Sequence, residues 1–483
     1  MNDFQLPIAP RRLLVDEFTR TKPKTVDLLN DWQYLEKSVH RILAGWGRHL
    51  PGWNDKSALH RQIWEQAEVV RRLRQRVKEF PGGKPDAPVS ARLESLANAV
   101  LLAPSLDDAL DGVHLILGQA LTTAYVDYAT KAHPIHDAPT VSMLHEINRI
   151  KAGQWLWYRE YRRRKPHGTD STYKDCITSF AGDLGAFHER LSVTDPPARP
   201  AGVGTSFQLP KFSARDMPIK PKQDLMPYLQ ADFTTSLEAR RLFWAYAYMM
   251  EKNLPDNQLA WIYHGHFLPW EWHADVSRHL WDESRHGDSG YSRLLDFGIP
   301  LEEVGFPAYH NEELIRELDR IAGGKSAGIE AGLMDQIMEI PAEPMCPKDL
   351  YEAVFFIGMI AENGHFIVKN EAYKDFQEGK DMESAEMMLF DIIDETTHVQ
   401  YAHRWLPLLA EHAGISNEGY RERAARIRAE HQQSENQKTA ALTLSRDPAD
   451  PCFAFYQNLL DRIRRVVPLT NAAVCPDRSA KPM

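Results

Sequence analysis

The sequence predicts an all-α protein in which a four-helix bundle carries a di-metal site, and three observations support this. The pattern Asp-Glu-x-x-His occurs twice, as Asp282-Glu283-Ser284-Arg285-His286 and as Asp394-Glu395-Thr396-Thr397-His398. A lone glutamate precedes each copy: Glu251 stands 32 residues before Glu283, and Glu362 stands 33 before Glu395. Each lone glutamate also closes an apolar or aromatic run, 242–250 in one half and 353–361 in the other. Residues three apart on a helix share a face, so Glu283 with His286 and Glu395 with His398 each present a carboxylate and an imidazole to one side. Two helices giving one Glu and two giving Glu-x-x-His are what a bundle needs to hold two metal ions. The candidate ligands are therefore Glu251, Glu283, His286, Glu362, Glu395 and His398.

Helical periodicity dominates the chain and strand alternation is scarce. An N-terminal arm, 1–25, leads into a first helical bundle over 26–194, expected to pack with the metal bundle. Helices are predicted there at 26–50, 57–79, 106–131 and 139–164, with a shorter one at 171–191, and breakers such as Pro51-Gly52 and Pro81-Gly82-Gly83 between them. The Pro-rich stretch 195–230 reads as an extended linker. The metal bundle follows over 231–413, with helices at 233–264, 269–297, 347–377 and 382–413, and a kink expected at Pro255. Gly379 lies midway between Glu362 and Glu395, and Phe267, beside Pro269, lies midway between Glu251 and Glu283. Equal distances from a turn put two residues at one height on antiparallel helices, so each pair faces across the bundle. Residues 414–483 form a tail with helices near 417–437 and 454–467.

Burial sharpens the metal reading. A helix apolar on nearly all faces is an interior helix, and a carboxylate at the end of such a run is costly unless paired or metal-bound. Oxygen and imidazole donors without thiolate suit iron or manganese. His279, one turn before Glu283, is a candidate additional ligand; Asp391 holds the matching place before Glu395. His365 forms a further Glu-x-x-His with Glu362 and is assigned beside the site, lining it or bracing a ligand. Trp244, Tyr246, Tyr248, Phe355 and Phe356 are candidates for a substrate pocket on the side of the two lone-glutamate helices.

In the first bundle Glu36 and Glu68, and likewise His114 and Glu146, are also 32 apart. The corresponding motifs read Glu65-x-x-Glu68 and Glu146-x-x-Arg149, without histidine, so this bundle is expected to be free of metal. It is either an eroded copy of the other bundle or a coincidence of Glu-rich helices.

Composition excludes several classes. The 483-residue chain has a net charge of −10, which is not a nucleic-acid footprint. No apolar run approaches the ~18 residues of a membrane span, and the N-terminus lacks a signal-peptide pattern, so a cytoplasmic protein is expected. The four cysteines are far apart, with no Cys-x-x-Cys, which argues against a zinc ribbon or a disulfide scaffold.

These residues and spacings resemble the ferritin-like di-iron carboxylate superfamily over about 233–412. The first pentad is similar to the Asp-Glu-x-Arg-His of bacterial multicomponent monooxygenase hydroxylases; the second, with Thr397, lacks the arginine. By that resemblance Asp282 and Asp394 brace His398 and His286 and raise their basicity. His279 resembles the additional histidine ligand of di-iron arylamine N-oxygenases, which lies there on the other helix pair. The resemblance implies two iron ions, with a Mn/Fe pair or two Mn as alternatives. It also implies an oxidoreductase that activates O2 to hydroxylate, N-oxygenate, desaturate or oxidatively cleave a small organic substrate. Ferroxidase, iron or peroxide handling, manganese-catalase-like chemistry and a structural role without turnover are the alternatives. With no NAD, flavin or haem motif, electrons are expected from a donor protein, the substrate or peroxide. No nucleic-acid or membrane partner is expected, and a homodimer is left open.

Overall fold

The computed structural model describes residues 22–165, 171–189, 191, 203–210, 213–214, 216, 219–220, 225–304, 306–307, 345–441 and 444–467. Among them the chain is all-α, apart from turns, loops and a two-residue parallel pairing of β1 (Ile219–Lys220) with β2 (Phe306–Pro307). Most of the predicted N-terminal arm, much of the 195–230 linker and the end of the tail lie outside the described residues. Two compact units form: Met1–Leu43 with Glu65–Gln208, and Ala44–Trp64 with Leu209–Met483. The second unit therefore takes in 44–64, which the sequence reading gave to the first bundle. No helix among the described residues is long and apolar enough to cross a membrane.

The first unit draws on α1 (Lys22–Gly47) and α2 (Trp53–Glu79), both of which extend into the second, and on α3 to α7. Helix α3 (Ala91–Leu101) has no counterpart in the sequence reading; it starts at Ser90, whose side chain accepts from Arg92 N. The predicted helix 106–131 is α4 (Leu106–Leu110) and α5 (Gln119–Lys131) with a π-helical turn, Asp111–Gly118, between them. Helices α6 (Ala138–Arg164) and α7 (Ser171–Asp183) complete it. Trp32 packs edge-on against Tyr125 and Tyr128 and donates from Nε1 to the Phe187 carbonyl at 2.9 Å.

In the second unit the helix predicted at 233–264 is two segments, preceded by the short α8 (Met226–Asp232). Helix α9 (Leu237–Glu251) ends at its glutamate, and α10 (Leu254–His264) starts with Pro255 in its first turn, where a missing N–H costs nothing. Lys252 and Asn253 keep right-handed helical dihedrals, so the chain bends at this point without reversing. Helix α11 (Trp270–Asp296) begins after Pro269, and α12 (Leu301–Val304) is one turn. The predicted helix 347–377 is α13 (Pro347–Phe356), a π-helical turn Ile357–Glu362, and α14 (Asn363–Glu378). Helix α15 (Met382–Ala413) has the predicted bounds: Asp381 caps it by accepting from Ser384 N, and Gly414 ends it in the left-handed conformation. The tail holds α16 (Tyr420–Ala441) and α17 (Pro451–Val466).

Small residues bring the ligand-bearing helices close together. A Cβ on Gly290 would stand 2.3 Å from Met249 N and 2.6 Å from the Ala245 carbonyl, so α11 lies directly on the backbone of α9. A Cβ on Gly358 would stand 2.3 Å from Ala402 Cβ, so the second π turn lies as tightly on α15. Gly290 is one turn beyond His286 and Ala402 one turn beyond His398, which places both close approaches next to candidate ligands. Leu242, Ala245, Met249, Leu294, Leu459 and Ile463 bury the outer side of this frame between α9, α11 and α17. Each Leu, Ile or Met side chain among them contributes roughly 1.5–3 kcal/mol.

Candidate metal centre

Four helical segments converge on one polar interior. Helix α9 ends in Glu251, α11 carries His279, Glu283 and His286, the π turn ends in Glu362, and α15 carries Asp391, Glu395 and His398. Ligand-capable atoms of His279, Glu283, Glu362 and His398 lie within 4.8 Å of one another. The same holds for Glu251, Glu283 and His286, and for Glu251, Asp391 and Glu395. All six candidate ligands from the sequence are thus brought together. His279 and Asp391 join them, and Glu283 belongs to two of the groups.

The two imidazoles have matching orientations. His398 turns Nδ1 inward, 3.4 Å from Glu283 Oε1 and 3.3 Å from Glu362 Oε1, while its Nε2 meets Asp282 Oδ2 at 3.3 Å. His286 turns Nδ1 inward, 3.3 Å from Glu251 Oε2 and 3.4 Å from Asp391 Oδ1, while its Nε2 meets Asp394 Oδ2 at 3.3 Å. Each aspartate therefore stands behind the histidine of the opposite helix. A carboxylate on the outer ring nitrogen fixes the tautomer that leaves the inner nitrogen free to bind a metal. Arg278 and Arg285 reach both aspartates: Arg278 Nε donates to Asp282 at 2.8 Å, and Arg285 donates to Asp394 at 2.6 Å and also pairs with Asp282. The Trp281 ring lies beneath both guanidinium groups.

Several of the inward-facing atoms make no hydrogen bond. His286 Nδ1, His398 Nδ1, Glu251 Oε2, Glu362 Oε2 and Glu395 Oε2 are all buried and have no hydrogen-bond partner. Buried polar atoms are nearly always paired, so a cluster of such donors facing one another could hold a metal ion. The set of carboxylate oxygens and imidazole nitrogens fits a transition metal such as iron or manganese.

Protonation in the metal-free chain follows the same charges. Burial opposes charge on His286, yet Asp391, Asp394, Glu251 and Glu283 outweigh it and hold the imidazole protonated well above its ordinary range. Burial likewise opposes charge on His398, and Glu362, Asp282 and Glu283 hold it protonated. For Glu362 burial raises the carboxyl, but His279 and His398 win and bring it down to about 2. For Glu251 burial wins and pushes the carboxyl up to about 7, with His286 opposing.

Lys369 on α14 was not anticipated from the sequence. It is fully buried and places Nζ 2.7 Å from Asp391 Oδ2 and against Glu395 Oε1. Burial disfavours its charge, but Asp391, Glu395 and Glu251 hold it protonated well above its usual range. It stands seven residues after Glu362, about 20° from it around the helix, while His365 lies about 60° away. His365 is exposed, so it is not part of the enclosed cluster.

A cleft of about 340 Å³ reaches the cluster between α11 and α15, where Tyr248, Arg285, His286, Met387, Phe390 and Asp391 line it. Of the five aromatic residues proposed for a pocket, only Tyr248 lines this cleft. Trp244 packs behind it with the rings 5.6 Å apart, Tyr246 belongs to the core against α8, α11 and α17, and Phe355 and Phe356 are buried. The expected approach past the lone-glutamate helices is thus not the cleft observed.

The first unit deals with its buried carboxylate differently. Glu36 is fully buried; Tyr125 donates to Oε1 at 2.8 Å, and Lys151 and Gln66 both contact Oε2. Glu68 pairs with Arg71 and Arg72, and the Glu146 side chain is 59% exposed.

Comparison with known protein families, curated proteins and solved structures found no match.

Proposed function

We propose that the second unit is a ferritin-like di-iron carboxylate bundle that activates O2 to oxidise a small organic molecule. The observation that carries this reading is the crossed pair of histidines, each with Nδ1 turned among buried carboxylates and Nε2 on an aspartate of the opposite helix. His279, Glu283, Glu362 and His398 would hold one ion, and Glu251, His286 and Glu395 the other, with Glu283 in reach of both and Asp391 beside the second. Bound there, two ferrous ions would supply the electrons that reduce O2 and the oxidising power delivered to the substrate.

The chain's own contribution is geometric and electrostatic. Asp282 and Asp394 orient the histidines and keep them basic; against burial, His398 with Arg278 and Arg285 holds Asp282 ionised, and His286 with Arg285 holds Asp394 ionised. Gly290 and Gly358 let the helices close around the cluster, which excludes water and strengthens each interaction within it. The cleft beside His286 and Asp391 is of a size that suits a small molecule, with Met387 and Phe390 offering apolar contact.

The test is anaerobic loading with Fe(II) followed by O2. The expected result is oxidation of about two Fe(II) per chain, after which the reaction stops until substrate or reductant is added. Continued oxidation to tens of ferric ions per chain, with mineral forming, would transfer the assignment to iron storage. Binding without any reaction with O2 would leave a structural metal bundle.

A further inference from the structure

We propose that the two metal positions fill in a fixed order, because Lys369 supplies a built-in cation at the second of them. This rests on the metal-binding reading above and concerns how the two halves of that site differ.

The halves are related by the sequence repeat. Glu251 matches Glu362, Glu283 matches Glu395 and His286 matches His398. The match fails at two places facing the cluster. Where α11 has His279, α15 has Asp391; where α14 has Lys369, the corresponding position on α10 is Gln258. One half has gained an imidazole, and the other has gained a carboxylate with an ammonium group on it.

The half with the imidazole is ready for an ion. His279 Nε2 stands 2.8 Å from Glu362 Oε1 and 3.1 Å from Glu283 Oε1, and its ring stacks on His398 at 3.7 Å. Its four donors are buried within one ligand-sized space, and two carboxylates with two neutral imidazoles balance a divalent ion. No lysine or arginine pairs with Glu283 or Glu362 among the described residues.

The other half already contains a cation. Lys369 Nζ contacts Asp391 Oδ2 and Glu395 Oε1, two of the three carboxylates grouped there. A metal ion entering must take Glu395 from the ammonium, leaving Lys369 to Asp391 alone. The charges allow that outcome. Five carboxylates (Glu251, Glu283, Glu362, Asp391 and Glu395) less one lysine leave four negative charges, which two divalent ions neutralise. Lys369 thus weakens the second position without preventing its occupation. Ions bind first at His279, Glu283, Glu362 and His398, and second where Glu395 must change partners.

The experiment is an anaerobic equilibrium titration of the full chain with Fe(II), repeated with Co(II), whose optical bands report coordination. Wild type is expected to bind two ions in steps at least tenfold apart in affinity. His279→Ala should weaken the first step and His286→Ala the second. The double variant Lys369→Met/Asp391→Asn keeps the cluster charge while removing the competing ammonium, and should bring the second step to within a few-fold of the first. Lys369→Arg should keep the steps apart. Two wild-type steps of equal affinity would overturn the order. A second step unchanged in the folded double variant would overturn the role of Lys369; in both cases metal binding itself would stand. Failure of every form to bind either ion would instead remove the metal reading.

Discussion

Both units bury glutamate among helices, and they differ in how the charge is met. In the first unit Glu36 is saturated: Lys151 neutralises it, and Gln66 and Tyr125 complete its hydrogen bonds. In the second, several carboxylates share one lysine, and both inward histidine nitrogens face carboxylates. A bundle therefore tolerates a buried carboxylate in either of two ways, with its own cation or with room for one from outside. The parallel between the units extends to the backbone. His114, 32 residues before Glu146, and Glu362, 33 before Glu395, both lie in π-helical turns. Such turns re-aim side chains and recur at functional sites. Burial, with Lys151 nearby, pushes His114 down to about 3 and keeps it neutral, stacked on Tyr158.

The contrast can be broken most sharply at Glu283, which belongs to two of the donor groups. Glu283→Ala should abolish stable loading at both positions, whereas His286→Ala should leave about one ion per chain. Metal analysis after exhaustive dialysis reads the difference, and two retained ions in the Glu283 variant would contradict the assignment.

The next largest effect is expected in the first unit. Lys151→Met strands the Glu36 carboxylate without its cation and should destabilise the chain by about 3–5 kcal/mol. Adding Glu36→Gln should recover most of that loss. Denaturant unfolding measures both, and a Lys151→Met variant as stable as wild type would remove the distinction between the two interiors.

Smaller effects are expected behind the histidines. Asp282→Asn and Asp394→Asn should each weaken metal affinity by about 10–100-fold while the count of ions stays at two. Loss of an ion in either variant would make that aspartate a direct ligand.

The mildest test is pH. His286 and His398 have raised values in the metal-free chain, so their contribution to its stability is present at low pH and fades as pH rises through those values. Metal binding needs the deprotonated rings and so runs the other way. Affinity should rise roughly threefold per half pH unit for each proton displaced. A flat affinity between pH 6 and 8 would show that the imidazoles are not ligands.

Much of this arrangement was legible in the sequence. The three-residue spacing of glutamate and histidine, repeated and joined to a glutamate at the end of an apolar run, identified six residues that the fold brings together. Helix α15 has the ends predicted for it, and in the structure Asp381 and Gly414 cap them. Other features depend on how helices meet. Lys369 reads in sequence as part of a solvated charged face, and only its position after the π turn carries it inward. His365 shows the reverse, since a tempting three-residue spacing points it outward. Helix α3 was missed because Pro85 and Pro88 precede an apolar stretch of only 11 residues. The cleft could not be read at all, since it is made by the separation of α11 and α15.

The most direct test of the two-metal centre is anomalous diffraction at the iron edge from crystals of the iron-loaded protein. The expected map has two peaks about 3.5–4 Å apart, one beside His279 and His398 and the other beside His286 and Glu251. Two peaks elsewhere in the chain, or none within this cluster, would contradict it.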